Sequence, residues 1–213
     1  MMELPAHIQT FEFGETTIQL YVPDEQVVKE QYAAGQKNGL QPLFPYWAKL
    51  WPSSLGLCRY IQSHPELVRE KVVLELAAGL GLPSLLAATL AAKVICSDYV
   101  EEALPFISNA AVLNNTSNIE CRLIDWQHYP DGLRADIVLL SDINYDPAQF
   151  EILHGLIKSL LNRGTTVLLS TPQRIMAKPF IEKLLPYCKE KLTSHVETGR
   201  ESAEIFIMQL KRG

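Results

Sequence analysis

Short apolar runs alternate with amphipathic stretches along the chain from residue 66 onward. The apolar runs are rich in β-branched residues and predict buried strands at residues 71–76, 93–98, 119–125, 135–142 and 165–171. The stretches between them have helical periodicity and predict helices at residues 83–92, 101–115, 147–161 and 178–190. Strands that alternate with helices are typical of βαβ units. The pattern therefore predicts an α/β fold with a parallel sheet and helices on both faces.

The C-terminal end departs from this alternation. Two strand-like runs, residues 191–198 and 203–212, flank the turn-like "GRES" with no helix between them. We predict that they form an antiparallel pair at the end of the sheet. Added to the five earlier strands, they give a Rossmann-like sheet of seven strands, mostly parallel, with a C-terminal antiparallel hairpin.

The N-terminal segment does not fit the repeat either. Residues 8–23 predict a β-hairpin that turns at Gly14-Glu15, and residues 27–35 predict a short helix. An aromatic segment that runs into a helix follows at residues 42–62. We predict a single domain over residues 1–213, in which residues 1–65 form an N-terminal lid and residues 66–213 form the α/β core.

Composition and charge narrow the class of protein. A length of 213 residues fits one domain, and 47% hydrophobic with 20% charged residues is typical of a globular protein. The formal net charge is −5 and no basic block is present, which argues against a nucleic-acid partner. The longest apolar stretch, residues 82–94, is too short and too interrupted to span a bilayer, so we expect no membrane association.

The chain termini and cysteines set further expectations. The N-terminus has no basic segment followed by an apolar run, so we expect a cytoplasmic protein and, by default, a monomer. The four cysteines are widely spaced, with no CxxC pair and no histidine at ligand spacing. We therefore expect neither a disulfide framework nor a metal site.

The segment "LELAAGLGLPS" (residues 74–84) joins the first core strand to the first core helix. In this architecture such a loop lies at the edge of the sheet where ligands bind. A P-loop is excluded because it requires Lys and Ser or Thr after its last glycine, whereas Leu82 and Pro83 follow Gly81. The nicotinamide-binding motif G-x-G-x-x-G is incomplete, because Ser84 stands at the position of its third glycine. S-adenosylmethionine, which carries no phosphate, is the remaining cofactor. The alternative is a strand-to-helix turn that needs glycine only for its geometry.

Two acidic residues favour the cofactor hypothesis. Glu75 lies in an otherwise buried strand, where an ionised group is costly without a partner, so we predict that it organises the loop or the cofactor. Asp98 ends the second core strand, where a carboxylate can accept hydrogen bonds from both ribose hydroxyls. A simple helix cap is the alternative for Asp98.

Four stretches together resemble the seven-β-strand S-adenosylmethionine-dependent methyltransferases, and in particular the branch that contains protein-lysine methyltransferases. They are "PYWAKLWPSSLGLCRYI" (45–61), "VLELAAGLGLPSLLAA" (73–88), "VICSDY" (94–99) with "LIDW" (123–126), and "LLSDINYD" (139–146). The similarity covers nearly the whole chain, and the combination is specific although no single stretch is.

The resemblance implies a set of cofactor contacts. Ala77, Ala78 and Gly79 would line the methionine part, and Gly81 would complete the loop. Asp98 would bind the ribose, and Asp125 and Trp126 would flank the adenine. Trp51 would close the pocket from the lid, and Ser141 would border it from the fourth core strand. The family usually has glycine where this chain has Ala77. The extra methyl group bears on cofactor affinity more than on family identity.

The resemblance also implies the place of the chemistry. Asp142 and Tyr145 follow the most apolar strand and satisfy the family signature Asp-x-x-Tyr. Methyl transfer requires a free lone pair on the attacking amine, whereas lysine, with a pKa of ~10.4, is nearly all protonated at neutral pH. An acidic residue such as Asp142 can bind the incoming ammonium and orient the amine. Tyr46 and Trp47 are candidates for an aromatic wall that attracts a methylated ammonium.

Several simpler interpretations stay open for these residues. Asp142 could cap the helix near Pro147, Tyr145 could be a packing residue, and Trp47 could belong to the core. Arg174, in the loop after the fifth core strand, could contact the substrate, but we expect an exposed loop arginine. The favoured function is methylation of protein lysine side chains with S-adenosylmethionine. The alternatives are methylation of a small-molecule nitrogen and a non-catalytic module that binds the cofactor.

Overall fold

The chain forms a seven-stranded sheet and a separate two-stranded hairpin. A computed structural model describes residues 4–198 and 201–212. The hairpin consists of β1 (Ala6–Phe13) and β2 (Thr16–Pro23). The sheet contains β3 (Val72–Leu76), β4 (Lys93–Asp98), β5 (Ile119–Leu123), β6 (Ile137–Ser141), β7 (Thr166–Pro172), β8 (Cys188–Thr198) and β9 (Glu201–Leu210). Its strand order is β5-β4-β3-β6-β7-β9-β8.

The strand directions confirm the predicted sheet. Strands β3 to β7 run parallel to one another, and β9 pairs antiparallel with both β7 and β8. From β3 the chain first adds β4 and β5 on one side and then returns to place β6 and β7 on the other. The crevice between β3 and β6 is therefore a topological switch point, which is where open α/β sheets bind ligands.

Helices cover both faces of this sheet, as predicted. They are α1 (Glu25–Lys37), α2 (Pro52–Ser63), α3 (Leu82–Ala88), α4 (Leu104–Leu113), α5 (Phe150–Asn162) and α6 (Lys178–Leu184). Alternate strand residues point to opposite faces, so Val73 packs with α2, α3 and α4 whereas Leu74 and Leu76 pack with α5 and α6. Within the described part of the chain, no helix combines the length and apolarity that crossing a membrane requires.

The N-terminal segment contains a β-hairpin and a helix, α2, that packs on the central sheet. The hairpin turns at Gly14-Glu15 as predicted, and Asn114 at the end of α4 exchanges two hydrogen bonds with the backbone of Gln19, at 2.8 and 2.7 Å. Helix α2 lies within the predicted lid range, yet it packs on the sheet. The Ser170 hydroxyl on β7 donates to the carbonyl of Ser53 at 2.7 Å. Residues 52–63 therefore form part of a helical layer of the core.

The last predicted helix is shorter than the sequence pattern indicated. Residues 178–190 were predicted to be helical, but α6 ends at Leu184 and β8 begins at Cys188. Pro186 explains the difference, because it has no N–H to continue the α-helical hydrogen bonds, and the chain passes into a 3-10 turn, Leu185–Tyr187, instead. The predicted antiparallel pair is confirmed as β8 and β9, while residues 199–200 of its predicted turn lie outside the described residues.

Candidate cofactor and acceptor site

A cavity of about 280 Å³ lies at the switch point of the sheet. Its floor is the loop that follows β3, residues 77–82. The ends of β4 and β6 form two of its walls, and the segment before α2, residues 44–51, closes it from the lid side. The cavity thus forms where three parallel strands end together, as the predicted topology requires.

Eleven of the fourteen predicted site residues line this cavity. They are Tyr46, Trp47, Trp51, Ala77, Ala78, Gly79, Gly81, Asp98, Ser141, Asp142 and Tyr145. The other three, Glu75, Asp125 and Trp126, lie elsewhere. The structure therefore brings the proposed cofactor loop, the acidic end of β4 and the Asp-x-x-Tyr segment into one place.

The loop after β3 adopts a left-handed backbone at several positions. Ala77, Gly79 and Gly81 have φ angles of +52°, +56° and +73°. The Ala78 N–H donates to the Ser97 carbonyl at 2.9 Å, which ties the loop to β4. Glycine tolerates this conformation, whereas alanine at φ > 0 costs about 1–2 kcal/mol because its Cβ crowds the backbone. Ala77 is thus a strained residue in the wall of the cavity.

The substitution Ala77→Gly is expected to stabilise the protein. Relief of the left-handed strain contributes about 1–2 kcal/mol, and the greater freedom of glycine in the unfolded chain offsets roughly 0.4–1 kcal/mol of it. The free energy of unfolding, measured by urea denaturation, should rise by about 0.5–1 kcal/mol. The converse variant Gly79→Ala should be destabilised, because its Cβ would lie 3.1 Å from the Trp47 carbonyl oxygen. A loss of stability in Ala77→Gly would contradict the strain at this position.

Glu75 lies beneath the loop and does not line the cavity. It is completely buried, and its Oε2 accepts a hydrogen bond from the Ser84 backbone N–H at 2.8 Å, in the first turn of α3. Burial raises the pKa of the Glu75 carboxyl to about 8, although the hydrogen bonds from Ser84 oppose the shift. Burial therefore favours the protonated form of this side chain near neutral pH. Glu75 thus holds the first turn of α3 from beneath the loop, and its role in organising the loop or the cofactor stays a prediction.

Glu75 is expected to make stability depend on pH. Because its pKa is higher in the folded than in the unfolded chain, the folded state binds the proton more tightly between about pH 4.5 and pH 8. The free energy of unfolding should fall in this window as pH rises, by up to about 1.4 kcal/mol per pH unit. The variant Glu75→Gln, which cannot titrate, should lack this slope in urea denaturation across the same range. Parallel pH profiles for the two proteins would contradict the assignment.

Asp98 holds the loop through its carboxylate. Its Oδ2 accepts a hydrogen bond from the Gly79 N–H at 2.8 Å, and Oδ1 accepts one from the Val100 N–H at 3.0 Å. The residue is 97% buried and lines the cavity. Burial raises the pKa of the Asp98 carboxyl, and the backbone hydrogen bonds oppose that shift. Asp98 is not the cap of the following helical segment, since that position belongs to Val100.

Aromatic side chains surround the mouth of the cavity. The Tyr46 ring lies 5.1 Å from the Tyr145 ring and 6.1 Å from the Trp51 ring, centroid to centroid. The Trp51 indole N–H donates to the Tyr46 carbonyl at 2.9 Å. Trp47 is 92% buried and packs on Phe106 at 5.3 Å, so it belongs to the core while it lines the cavity. Tyr46 and Tyr145 thus form the outer part of the wall and Trp47 the inner part.

Asp142 is held at the opposite wall in an uncommon conformation. Its φ angle is +55°, and its backbone N–H donates to the Ser170 carbonyl at 2.8 Å. Oδ1 accepts a hydrogen bond from Arg174 Nη1 at 2.5 Å, and Oδ2 is buried without a hydrogen-bond partner. The helical turn that begins at Pro147 is capped by Asp146, so capping is not the role of Asp142.

The expectation for Arg174 was wrong. Its side chain is 27% exposed, pairs with Asp142 and lines the cavity, rather than projecting from a loop into solvent. One sequence signal could have located it: Arg174 follows β7, which runs parallel to β6, and the carboxyl ends of paired parallel strands meet at the same edge. The register pairs Ser141 with Ser170 and so places the segment after β7 beside Asp142.

Asp125 and Trp126 lie outside the lining of the cavity. The Asp125 carboxylate caps a short 3-10 turn by accepting from the Gln127 N–H at 2.9 Å, and it also contacts the His128 ring at 2.7 Å. Trp126 is 92% buried in the hydrophobic cluster shared with Leu76. Packing on adenine, the role implied for Trp126, therefore stays a prediction. Tyr99, which follows Asp98 directly and lines the cavity, was not singled out from the sequence.

The fold has a clear likeness among solved structures. The N-methyltransferase NodS from Bradyrhizobium japonicum WM9, in complex with S-adenosyl-L-homocysteine, matches with a TM-score of 0.58 at 14% identity. The match covers 75% of this chain and 86% of NodS. At this identity the likeness concerns the fold alone. The class that fold and cavity define is that of Rossmann-like α/β proteins with a ligand-sized cavity at the switch point of the sheet.

The family follows from sequence comparison. A family model described as lysine methyltransferase matches residues 46–186. The human histone-arginine methyltransferase METTL23 is 33% identical over 185 residues, which cover 76% of this chain and 97% of the human protein. The zebrafish electron transfer flavoprotein beta subunit lysine methyltransferase is 30% identical over 132 residues, which cover 61% of this chain and 51% of that protein. The chain belongs to the lysine methyltransferase family, as the sequence motifs predicted.

Proposed function

We propose that this protein transfers the methyl group of S-adenosylmethionine to lysine side chains of a protein. The observation that carries the proposal is the shared cavity, in which Asp98 lies at the end of β4 and Asp142 beyond the end of β6. One carboxylate is thus available to a cofactor and the other to an acceptor.

The chemistry of the cavity fits the proposed cofactor. Asp98 uses one lone pair of each oxygen on a backbone N–H, so its remaining lone pairs can accept from a ribose diol. The loop at residues 77–82 carries no lysine or arginine, which fits a ligand without phosphate. Ala77, Ala78 and Gly79 would line the methionine part, and Trp51 would close the pocket from the lid. Ser141 would border it beside Ser54, whose hydroxyl lies 3.2 Å away.

The chain's own residues would orient the acceptor. S-adenosylmethionine supplies a methyl group on a sulfonium sulfur, and the new N–C bond forms as the C–S bond breaks and sulfur keeps the electron pair. Asp142 would orient the acceptor nitrogen, while the aromatic wall of Tyr46 and Trp47 would favour a methylated ammonium. Burial raises the pKa of Tyr145 to about 12, so its phenol stays protonated and would serve as a hydrogen-bonding group rather than a base. Alignment of this kind is a major source of rate acceleration.

A protein is the favoured acceptor class, and lysine is the favoured residue. The family description names lysine, and the names of both relatives specify protein methylation. Arginine is the second candidate, because the human relative is named a histone-arginine methyltransferase.

Label transfer tests the proposal. The purified protein is incubated with methyl-tritiated S-adenosylmethionine and with cell lysate, and the labelled proteins are hydrolysed to amino acids. We expect the label in methyllysine. Label in methylarginine would favour the second candidate, and label only in small molecules would favour a metabolite acceptor. Cofactor binding without transfer to any acceptor, in lysates from several growth conditions, would contradict the proposal and favour a non-catalytic module.

A further inference from the structure

A guanidinium of the chain itself lies at the proposed acceptor end of the cavity. Arg174 Nη1 donates to Asp142 Oδ1 at 2.5 Å, and the two side chains are only 27% and 6% exposed. By contrast, the Arg122–Glu120 pair at 2.6 Å is 40% and 42% exposed. An ion pair that is largely withdrawn from water is screened far less than a surface pair. The charge of Arg174 therefore acts strongly on any cation that approaches Asp142.

The two oxygens of Asp142 differ in what they can offer to an acceptor. Oδ2 is buried without a hydrogen-bond partner, whereas Oδ1 carries the contact with Arg174. An acceptor that reaches Oδ1 from the cavity shares that oxygen with the Arg174 guanidinium. A carboxylate oxygen can accept two hydrogen bonds, so sharing is geometrically feasible, but a second cation meets electrostatic repulsion.

Backbone hydrogen bonds hold the main chain of Arg174 on both sides. The Arg174 N–H donates to the Pro172 carbonyl at 2.9 Å, and the Ala177 N–H donates to the Arg174 carbonyl at 3.0 Å. The residue thus sits between the end of β7 and a short 3-10 turn, Ile175–Ala177. Ile175, next in the chain, is 94% exposed, so the turn directs the arginine inward and its neighbour outward.

We propose that Arg174 is a specificity-determining residue that occupies the guanidinium position beside Asp142 and thereby selects lysine over arginine as the methyl acceptor. This inference rests on the proposed function and specifies its acceptor. A lysine ammonium can lose its proton to water and approach Oδ1 as a neutral amine. An acceptor arginine stays cationic because its pKa exceeds about 12, and it competes with Arg174 for the same oxygen.

A binding experiment tests, without relying on activity, whether Arg174 fills a guanidinium-binding position beside Asp142. Arg174→Ala leaves a space beside a carboxylate that has lost its counter-charge. Ethylguanidinium at roughly 10 mM should bind there and raise the Tm of Arg174→Ala by a few degrees, since a ligand that binds the native state stabilises it. The wild type, the double variant Asp142→Asn/Arg174→Ala and the surface control Arg122→Ala should show no such rise. Equal responses in all four proteins, or none in Arg174→Ala, would overturn the proposal.

An acceptor experiment tests the selection itself. The methylarginine to methyllysine ratio in labelled lysate proteins should rise at least roughly tenfold in Arg174→Ala, because removal of a like charge is worth more than about 1.4 kcal/mol at a poorly hydrated site. The ratio for Arg174→Lys, which keeps the charge, should stay closer to the wild-type ratio. The ratio for Arg122→Ala should equal the wild-type ratio. An unchanged ratio in Arg174→Ala would overturn the inference. Absence of methyllysine in the wild type would instead refute the proposed function, and the ethylguanidinium response would still decide whether Arg174 fills that position.

Discussion

Replacement of Asp142 with asparagine is expected to lower kcat/KM for methyl transfer roughly 100-fold, because a hydrogen bond to a charged group contributes about 1.5–3 kcal/mol and the neutral amide no longer orients the acceptor nitrogen in that way. Asparagine tolerates the left-handed backbone that Asp142 adopts at φ +55°, so the change removes the charge with little added strain. The affinity for S-adenosylhomocysteine should change little, because the carboxylate is assigned to the acceptor. Label-transfer kinetics and calorimetry would measure the two effects separately.

A neighbouring carboxylate supplies the matched control for Asp142→Asn. Asp146 accepts a hydrogen bond from the Ala148 N–H at 3.0 Å and caps a short helical turn four residues further along. Asp146→Asn should keep nearly all of the activity. Equal losses in the two variants would show that any charge change in this segment disturbs the site, and the acceptor role of Asp142 would then be unsupported.

Replacement of Asp98 with alanine is expected to weaken the binding of S-adenosylhomocysteine by roughly 100-fold or more, since hydrogen bonds to a charged group contribute about 1.5–3 kcal/mol each. The variant loses the acceptor proposed for the ribose hydroxyls. It also leaves the N–H groups of Gly79 and Val100 without the carboxylate that accepts from them. A lower Tm should therefore accompany the weaker binding, and calorimetry at a temperature where the variant is folded would measure the affinity.

Asp125→Asn is the comparison for Asp98→Ala. The resemblance placed Asp125 at the adenine, whereas the structure places its carboxylate on Gln127 and His128, outside the lining of the cavity. We expect affinity to fall by less than about tenfold, because a single partly exposed contact contributes little. A loss as large as that of Asp98→Ala would mean that bound cofactor extends to Asp125, and the limits of the site would have to be redrawn.

The sequence was sufficient for most of the fold because its strands are nearly continuous apolar runs. Such runs become buried parallel strands, and their carboxyl ends meet at one edge. Asp98 and Asp142 could therefore be placed in one site from the sequence alone. The end of α6 differs from the prediction, because the apolar periodicity of residues 178–190 continues past Pro186 whereas the α-helix does not.

The remaining features depend on contacts that a linear pattern does not encode. The pairing of Arg174 with Asp142 requires the register of β6 against β7 together with the turn that follows β7. The left-handed conformation of Ala77 is set by how the loop closes onto β4, while alanine itself favours the right-handed region. The burial of Trp126 likewise results from the packing of a short turn against the opposite face of the sheet.

A crystal structure of the protein with S-adenosylhomocysteine tests the central claim most directly. We predict that the ligand occupies the cavity, with its ribose hydroxyls on Asp98, its amino-acid part along residues 77–79 and its sulfur turned toward the side of Asp142. A ligand bound elsewhere, or this cavity closed by the protein's own side chains at saturating ligand, would contradict the account.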